Sequence, residues 1–387
     1  MITDSDGPLP LPAWPQHGAE ERAGLLRALE QEGWWRYGGG EVELFEREFA
    51  GHHGAAHAVA TTTGTHALEL GLGVLGVGPG DEVIVPAFTF IASSLAVQRL
   101  GAVPVPADVL PGTYCLDVGA AARLVTPRTK AIMPVHMAGQ FADMDALREL
   151  SSATGVPLLQ DAAHAHGARW RGLRVGELGS PAAFSFQNGK LMTAGEGGAL
   201  LLPDGASHRE AVLQHGCGRP PYDRVYAHLT QGSNYRMNEF SAAVLRAQLS
   251  RLEGQIAVRE ERWARLRKAL GSLAGVEPQD ADERCTVNAH YMAMARLPGC
   301  SAGRRLAVVE ALTARGVPAF VGFPPVYRTE GYWRGPVRGT PGELAGRCPV
   351  AEELGRDCLW LHHRVLLADE PVVDRVADLF ADALAAG

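Results

Sequence analysis

From residue 58 onward, short apolar runs alternate with stretches whose apolar residues recur every three or four positions. The short runs are Val59-Ala60-Thr61, Glu82-Val83-Ile84-Val85-Pro86, Val103-Pro104-Val105, Ala131-Ile132-Met133-Pro134-Val135, the run closing on Asp161 and the run entering Ser185. Helical spacing fills 67–75, 91–100 and 144–154 between them. Strands separated by helices of this length predict βαβ units, hence an α/β fold with a mostly parallel sheet covered on both faces. Upstream, amphipathic helices over 20–31 and 42–52 flank Trp34-Trp35-Arg36-Tyr37 and a glycine turn. Downstream, an Arg-, Glu- and Leu-rich helical pattern over 239–270 leads to a candidate strand at 290–295 and a helix at 303–315. A Pro/Gly-rich passage at 320–342 and a terminal helix at 370–385 follow. The pattern divides the chain into an N-terminal arm with helices (1–55), a large domain (56–250), and a linker helix with a smaller α/β C-terminal domain (251–387).

Composition narrows the function classes. The 387 residues are 46% hydrophobic, enough for a large core, and the net charge of −7 is spread without a basic block, which argues against a nucleic-acid partner. Asp4 and Asp6 stand where a signal peptide would carry lysines, and no apolar run reaches the about 18 residues of a membrane helix. A cytoplasmic protein with no membrane partner is expected. The six cysteines have no Cys-x-x-Cys spacing, so neither a disulfide framework nor a metal site is expected.

Candidate chemistry concentrates in two segments. A single lysine, Lys190, sits between the apolar run Ala183-Phe184-Ser185-Phe186 and the glycine cluster Gly195-Glu196-Gly197-Gly198, and Asp161 closes the run Val156-Pro157-Leu158-Leu159-Gln160. A lysine amine can bond covalently to the aldehyde of pyridoxal 5'-phosphate, and an aspartate facing the pyridine nitrogen keeps that ring protonated. Strand ends of a parallel sheet hold such groups rigidly. Taken singly, Lys190 reads as a solvated loop residue and Asp161 as a helix cap; the pairing favours a cofactor site. Thr62-Thr63-Gly64-Thr65-His66 opens a helix, where N–H groups and hydroxyls suit a phosphate, and Ser185 offers another hydroxyl. Phe88, past a strand end, is the candidate for stacking on the pyridine, with a core aromatic as the alternative. His164, three residues after Asp161, is a candidate to bond cofactor or substrate oxygens, a structural histidine being an equal alternative.

Together with Pro134-Val135-His136-Met137-Ala138-Gly139 and Ser233-Asn234-Tyr235-Arg236-Met237-Asn238, these motifs resemble the DegT/DnrJ/EryC1/StrS family over nearly the whole chain. The resemblance implies a pyridoxal-phosphate enzyme of fold type I, the aspartate aminotransferase fold. It implies that Lys190 bonds the cofactor, Asp161 holds the pyridine nitrogen, Phe88 stacks on the ring, and Gly64, Thr65 and Ser185 bind the phosphate. Asn234 would reach the phosphate of a neighbouring subunit, making the active unit a homodimer.

Within the family, Pro12-Ala13-Trp14-Pro15, Gly33-Trp34-Trp35-Arg36 and Cys358-Leu359-Trp360-Leu361-His362-His363-Arg364 are most similar to members that dehydrate and aromatise 5-deoxy-5-amino-3-dehydroshikimate for antibiotic biosynthesis. The Pro324-Pro325 pair departs from that pattern. It leaves open a 3-aminobenzoate-forming enzyme acting on 3-dehydroshikimate, or a sugar or cyclitol aminotransferase. A cyclic acid needs a cation or donors at its carboxylate; Arg219, Tyr222, His363 and Arg364 are the candidates.

Overall fold

The computed structural model describes residues 9–385; Asp4 and Asp6 of the leader reading lie outside them. Helices α1 (Ala19–Glu30) and α2 (Glu41–His53) precede strand β1 (His57–Thr61). Then follow α3 (Gly64–Val74), β2 (Glu82–Pro86), α4 (Ala92–Arg99), β3 (Val103–Ala107), α5 (Val118–Ala122), β4 (Thr129–Ile132), α6 (Met144–Thr154) and β5 (Gln160–Asp161). Short strands β6 (Arg169–Trp170) and β7 (Leu173–Arg174) lead to β8 (Ala182–Ser185), β9 (Gly198–Leu202), α7 (Gly205–His215) and the long α8 (Glu239–Gly271). The remainder is β10 (Glu277–Pro278), β11 (Cys285–Val287), β12 (Met292–Arg296), α9 (Ala302–Ala314), β13 (Ala319–Val321), α10 (Pro341–Arg347), α11 (Pro349–Asp357), β14 (Cys358–His362) and α12 (Glu370–Ala385).

Two strand groups, β3-β2-β4 and β5-β8-β9-β1, join through parallel bridges Ile132–Leu158 and Val135–Asp161 into one sheet. All neighbours are parallel except those of β9, which pairs antiparallel with β8 and β1. Its central strands are mostly apolar and buried, as a sheet covered on both faces requires: β2, β8 and β9 bury every residue. One core cluster holds Phe45, Phe49, Phe88, Phe184 and Phe186, and another, on the opposite face, holds Leu68, Leu72, Val83, Val85 and Leu200.

The C-terminal strands form a separate antiparallel sheet in the order β10-β12-β14-β13. Its core takes Val308 and Leu312 from α9, Val376 and Phe380 from α12, and Trp263, Leu266 and Leu270 from α8. The first half of α8 contributes Ala242, Leu245, Leu252 and Ile256 to the large core instead. The helix therefore crosses residue 250 without a break and ties the two cores together.

Candidate active site

Strands β2, β5 and β8 run in one direction, so the residues that follow them emerge at a single edge of the sheet. A cavity of about 440 Å³ opens there, and Asp161, His164, Ser185 and Lys190 all reach its wall. The sheet thus brings together four residues drawn from two segments.

One end of the cavity is the start of α3, where Thr63, Gly64 and Thr65 lie beside Ser185. The Thr63 hydroxyl caps the helix, accepting the His66 N–H at 3.1 Å. The first-turn N–H groups have no partner within the helix and carry its positive dipole end. Glycine is required here by close approach: a Cβ on Gly64 would sit 2.6 Å from Cβ of Ser185, and one on Gly198 would sit 2.3 Å from the Thr63 carbonyl oxygen. Bare backbone, two threonines and a serine thus form a cradle of donors suited to a phosphate.

Asp161 is buried at the end of β5, where Ser93 Oγ donates to its Oδ2 at 2.8 Å and the Ala163 N–H donates to its Oδ1 at 3.2 Å. Burial pushes its pKa above the ordinary carboxylate value; the two hydrogen bonds and the charge of Lys190 oppose this. Lys190 Nζ lies 4.3 Å from the centre of the Tyr291 ring, which itself stacks on His164 with centroids 4.3 Å apart. His164 Nδ1 accepts the Ala138 N–H at 3.4 Å. Burial, then the nearby Lys190 charge, holds His164 well below the ordinary histidine pKa, so the ring is neutral at pH 7.

Residues 16–380 match the DegT/DnrJ/EryC1/StrS aminotransferase family. The chain belongs to this family. Enzymes of the family use pyridoxal 5'-phosphate on fold type I, and the sheet, the buried carboxylate, the single cavity lysine and the glycine cradle all fit that cofactor. Over 380 residues the chain is 62% identical to the 3-amino-5-hydroxybenzoate synthase of Amycolatopsis mediterranei (strain S699), covering 97% of each chain. A crystal structure of 3-amino-5-hydroxybenzoic acid synthase superposes with a TM-score of 0.97 at 61% identity, covering 98% of this chain and 100% of that one. The L-glutamine:2-deoxy-scyllo-inosose aminotransferase of Micromonospora echinospora is 37% identical, over 93% of this chain and 91% of its own.

Several of the candidate residues lie outside this cavity. Phe88 is wholly buried, packing towards Tyr114 and Phe323 behind the cavity, so the core reading holds for it; Phe90, 56% exposed, supplies the cavity ring instead. His363 is buried with both ring nitrogens engaged, Nδ1 by Arg259 and Nε2 by the Gly189 carbonyl, which leaves it nothing to offer a substrate. Arg364 is half-buried beyond the cavity wall. Arg219 is occupied within its own loop by Asp223 and the Tyr226 ring, and Tyr222 is exposed beside Tyr37. Asn234 is likewise exposed on that loop, away from the cavity of its own chain.

The structure also adds residues that the sequence did not single out. Ser93, from the first turn of α4, carries the bond to Asp161, and Tyr291 arrives from the segment before β12. Phe323 and Trp360 join Phe90 on the cavity wall. The double proline sets one of them: Pro325 packs where a Cβ on Gly355 would lie 2.6 Å from its Cδ, and the next N–H, of Val326, donates to Ala87 at 2.8 Å. Both contacts pin the chain directly after Phe323. Only the Phe-Thr-Phe repeat at 88–90 carried a usable sequence signal, two rings past one strand end.

Proposed function

We propose that the chain converts 5-deoxy-5-amino-3-dehydroshikimate into 3-amino-5-hydroxybenzoate with loss of one water. The observation that carries this reading is the 62% identity to 3-amino-5-hydroxybenzoate synthase over 97% of both chains. An aromatic wall of Phe90, Phe323, Trp360 and Tyr291 around Lys190 supports it, since flat faces suit a six-membered ring that becomes planar.

When bound, pyridoxal 5'-phosphate supplies a protonated ring that takes up the electron pair left by a departing substrate proton. Asp161 would keep the proton on that ring nitrogen, with its carboxylate held in place by the Ser93 hydroxyl. Gly64, Thr65 and Ser185 would hold the phosphate, and Phe90, on the same cavity wall, would pack against the ring. Lys190 would hold the cofactor covalently through Nζ, and as a free amine Nζ would remove a substrate ring proton. Breaking the C–O bond beside that carbon releases hydroxide, which leaves as water after taking a proton. Enolisation of the remaining ketone completes the aromatic ring.

The active unit of this reading is a homodimer. Its support is the loop after α7, which leaves Tyr222, Val225, Tyr226 and Leu229 between 66% and 80% exposed, and the α1 face, which exposes Leu25, Leu26 and Leu29. Exposed apolar groups of this density mark surfaces that are covered in the assembled protein. Arg219 and Asn234, on the same loop, would then serve the partner's site.

The test is incubation with the amino-dehydroshikimate and no amino donor. Aromatic absorbance growing in step with substrate loss is the expected result. Strict dependence on glutamine or glutamate would overturn it in favour of a sugar or cyclitol aminotransferase.

A further inference from the structure

Arg259 of α8 is wholly buried, and among the described residues no carboxylate pairs with it. Its Nη2 donates to Nδ1 of His363 at 3.2 Å and reaches Gln255 Oε1 at 3.5 Å, while Nε and Nη1 have no partner. Burial pulls the guanidinium down only to about 9, so it remains charged at neutral pH. A buried cation without a counter-charge is disfavoured by desolvation, and an apolar side chain of similar length would fold at least as well. The Trp14 ring, 5.6 Å from the guanidinium carbon, offsets only part of that cost, so stability is a weak account of this residue.

The direction of its one good hydrogen bond is a stronger one. A guanidinium can only donate, so His363 Nδ1 must be the accepting nitrogen, and the ring proton is forced onto Nε2. That proton points to the Gly189 carbonyl at 3.1 Å, and the peptide it holds is the one joining Gly189 to Lys190. Trp14 closes the arrangement from a third element. Its Nε1 donates to the Asn188 carbonyl at 2.9 Å, and its ring meets His363 edge-on with centroids 4.5 Å apart.

We propose that Arg259 is a positioning residue for Lys190: by fixing the tautomer of His363, it locks the carbonyl of Gly189 and so the direction in which the lysine leaves the backbone. The N–H of the same planar peptide donates to the Gln187 carbonyl at 2.8 Å, and the Gly189 N–H donates to Gln187 Oε1 at 2.8 Å, so every other hold on this peptide comes from within the loop and His363 alone ties it to the C-terminal strands. The relay spans Arg259 on the long helix, His363 just past β14 and the lysine loop past β8, so it couples both sheets to the cavity.

Because the role of Lys190 is itself a proposal, the first readout is taken on cofactor-free protein. Hydrogen exchange of the peptide covering 186–192 should be about tenfold faster in Arg259→Met, with the rest of the protein unchanged and the thermal midpoint equal or higher. In holoenzyme, kcat should fall about tenfold with KM moving less than about twofold. His363→Gln, which keeps a donor at the Nε2 position, should retain most of the wild-type exchange protection and kcat. His363→Leu should match Arg259→Met, and the double variant should be no worse than either. Unchanged local exchange in Arg259→Met, or exchange rising everywhere with a lowered midpoint, would overturn the proposal. If Arg259→Met does not fold, equal behaviour of His363→Gln and His363→Leu would overturn it. Full activity of Lys190→Ala would sink the cofactor reading alone and leave the exchange result standing.

Discussion

Ser93 and Asp161 meet through a 2.8 Å hydrogen bond between side chains 68 positions apart, one in the first turn of α4 and the other at the last residue of β5. The bond works against burial, which raises the Asp161 pKa, and so helps keep the carboxylate ionised where a ring nitrogen must be held protonated. Ser93→Ala should weaken cofactor binding about tenfold, the loss of one charged hydrogen bond of about 1.5 kcal/mol. Titration of cofactor-free protein with pyridoxal phosphate checks this. Asp161→Asn should lose more, because the amide cannot keep the ring charged.

Lys190→Ala should abolish covalent attachment and lower turnover by at least about a thousandfold. Borohydride reduction followed by peptide mass spectrometry should find the cofactor on Lys190 in the wild type and on no lysine in the variant. Attachment at Lys130 or Lys268 would refute the assignment.

Gly64→Ala tests the phosphate cradle by steric means alone. The added methyl would lie 2.6 Å from Cβ of Ser185, so the helix start must shift away from β8. Overpacking of this kind costs about 1–3 kcal/mol, and cofactor affinity should fall accordingly while the charge of the site is unchanged. Equal affinity for wild type and variant would show that no phosphate binds there.

A shared active site predicts complementation. Lys190→Ala and Asn234→Ala, each inactive alone, should recover about a quarter of wild-type activity after unfolding and refolding together, because half the dimers are mixed and one of their two sites is intact. No recovery would place Asn234 outside the partner's site.

Three of the buried histidines illustrate an acid limit. Burial lowers His136 to about 4, and His166 and His290 to about 3, so the folded protein keeps them neutral while the unfolded chain protonates near 6.5. Their contribution to stability is full above that value and is lost as pH falls towards 4. Each should add a slope of about 1.4 kcal/mol per pH unit below pH 6. Denaturant unfolding between pH 7.5 and 5 measures it, and His136→Asn should flatten the curve by one proton's worth.

Much of the site was legible because its residues lie in short segments directly at strand ends. Asp161, Ser185, Gly64 and Lys190 are each marked by a local change, an apolar run giving way to a charged group, a hydroxyl or a glycine, and they reach one cavity because parallel strands end together. Strand β9 and helix α7 escaped the periodicity reading: Gly198-Ala199-Leu200-Leu201-Leu202 follows the glycine cluster directly and has no alternation. A fully buried strand gives only a uniform apolar run.

The ring that faces the cavity was not legible. Phe88 and Phe90 share residue type and follow β2 by two and four positions, and only the turn after Pro86 buries one and exposes the other. The same holds for His363: its exposed-looking His-His-Arg context suggests a substrate contact, but packing surrounds it with Arg259, Trp14 and Gly189.

The sequence by itself determined the fold class, the family, and the lysine, aspartate and glycines of the site, because each depends on residue type at a local backbone position. Tertiary structure alone decided which aromatic ring lines the cavity, that Ser93 serves Asp161 and Tyr291 lies against Lys190, and that His363 is held by a buried arginine. Those relations join residues up to 174 positions apart, as between His363 and Gly189. No periodicity encodes them; they exist only once the sheet edge, the long helix and the C-terminal strands pack against one another.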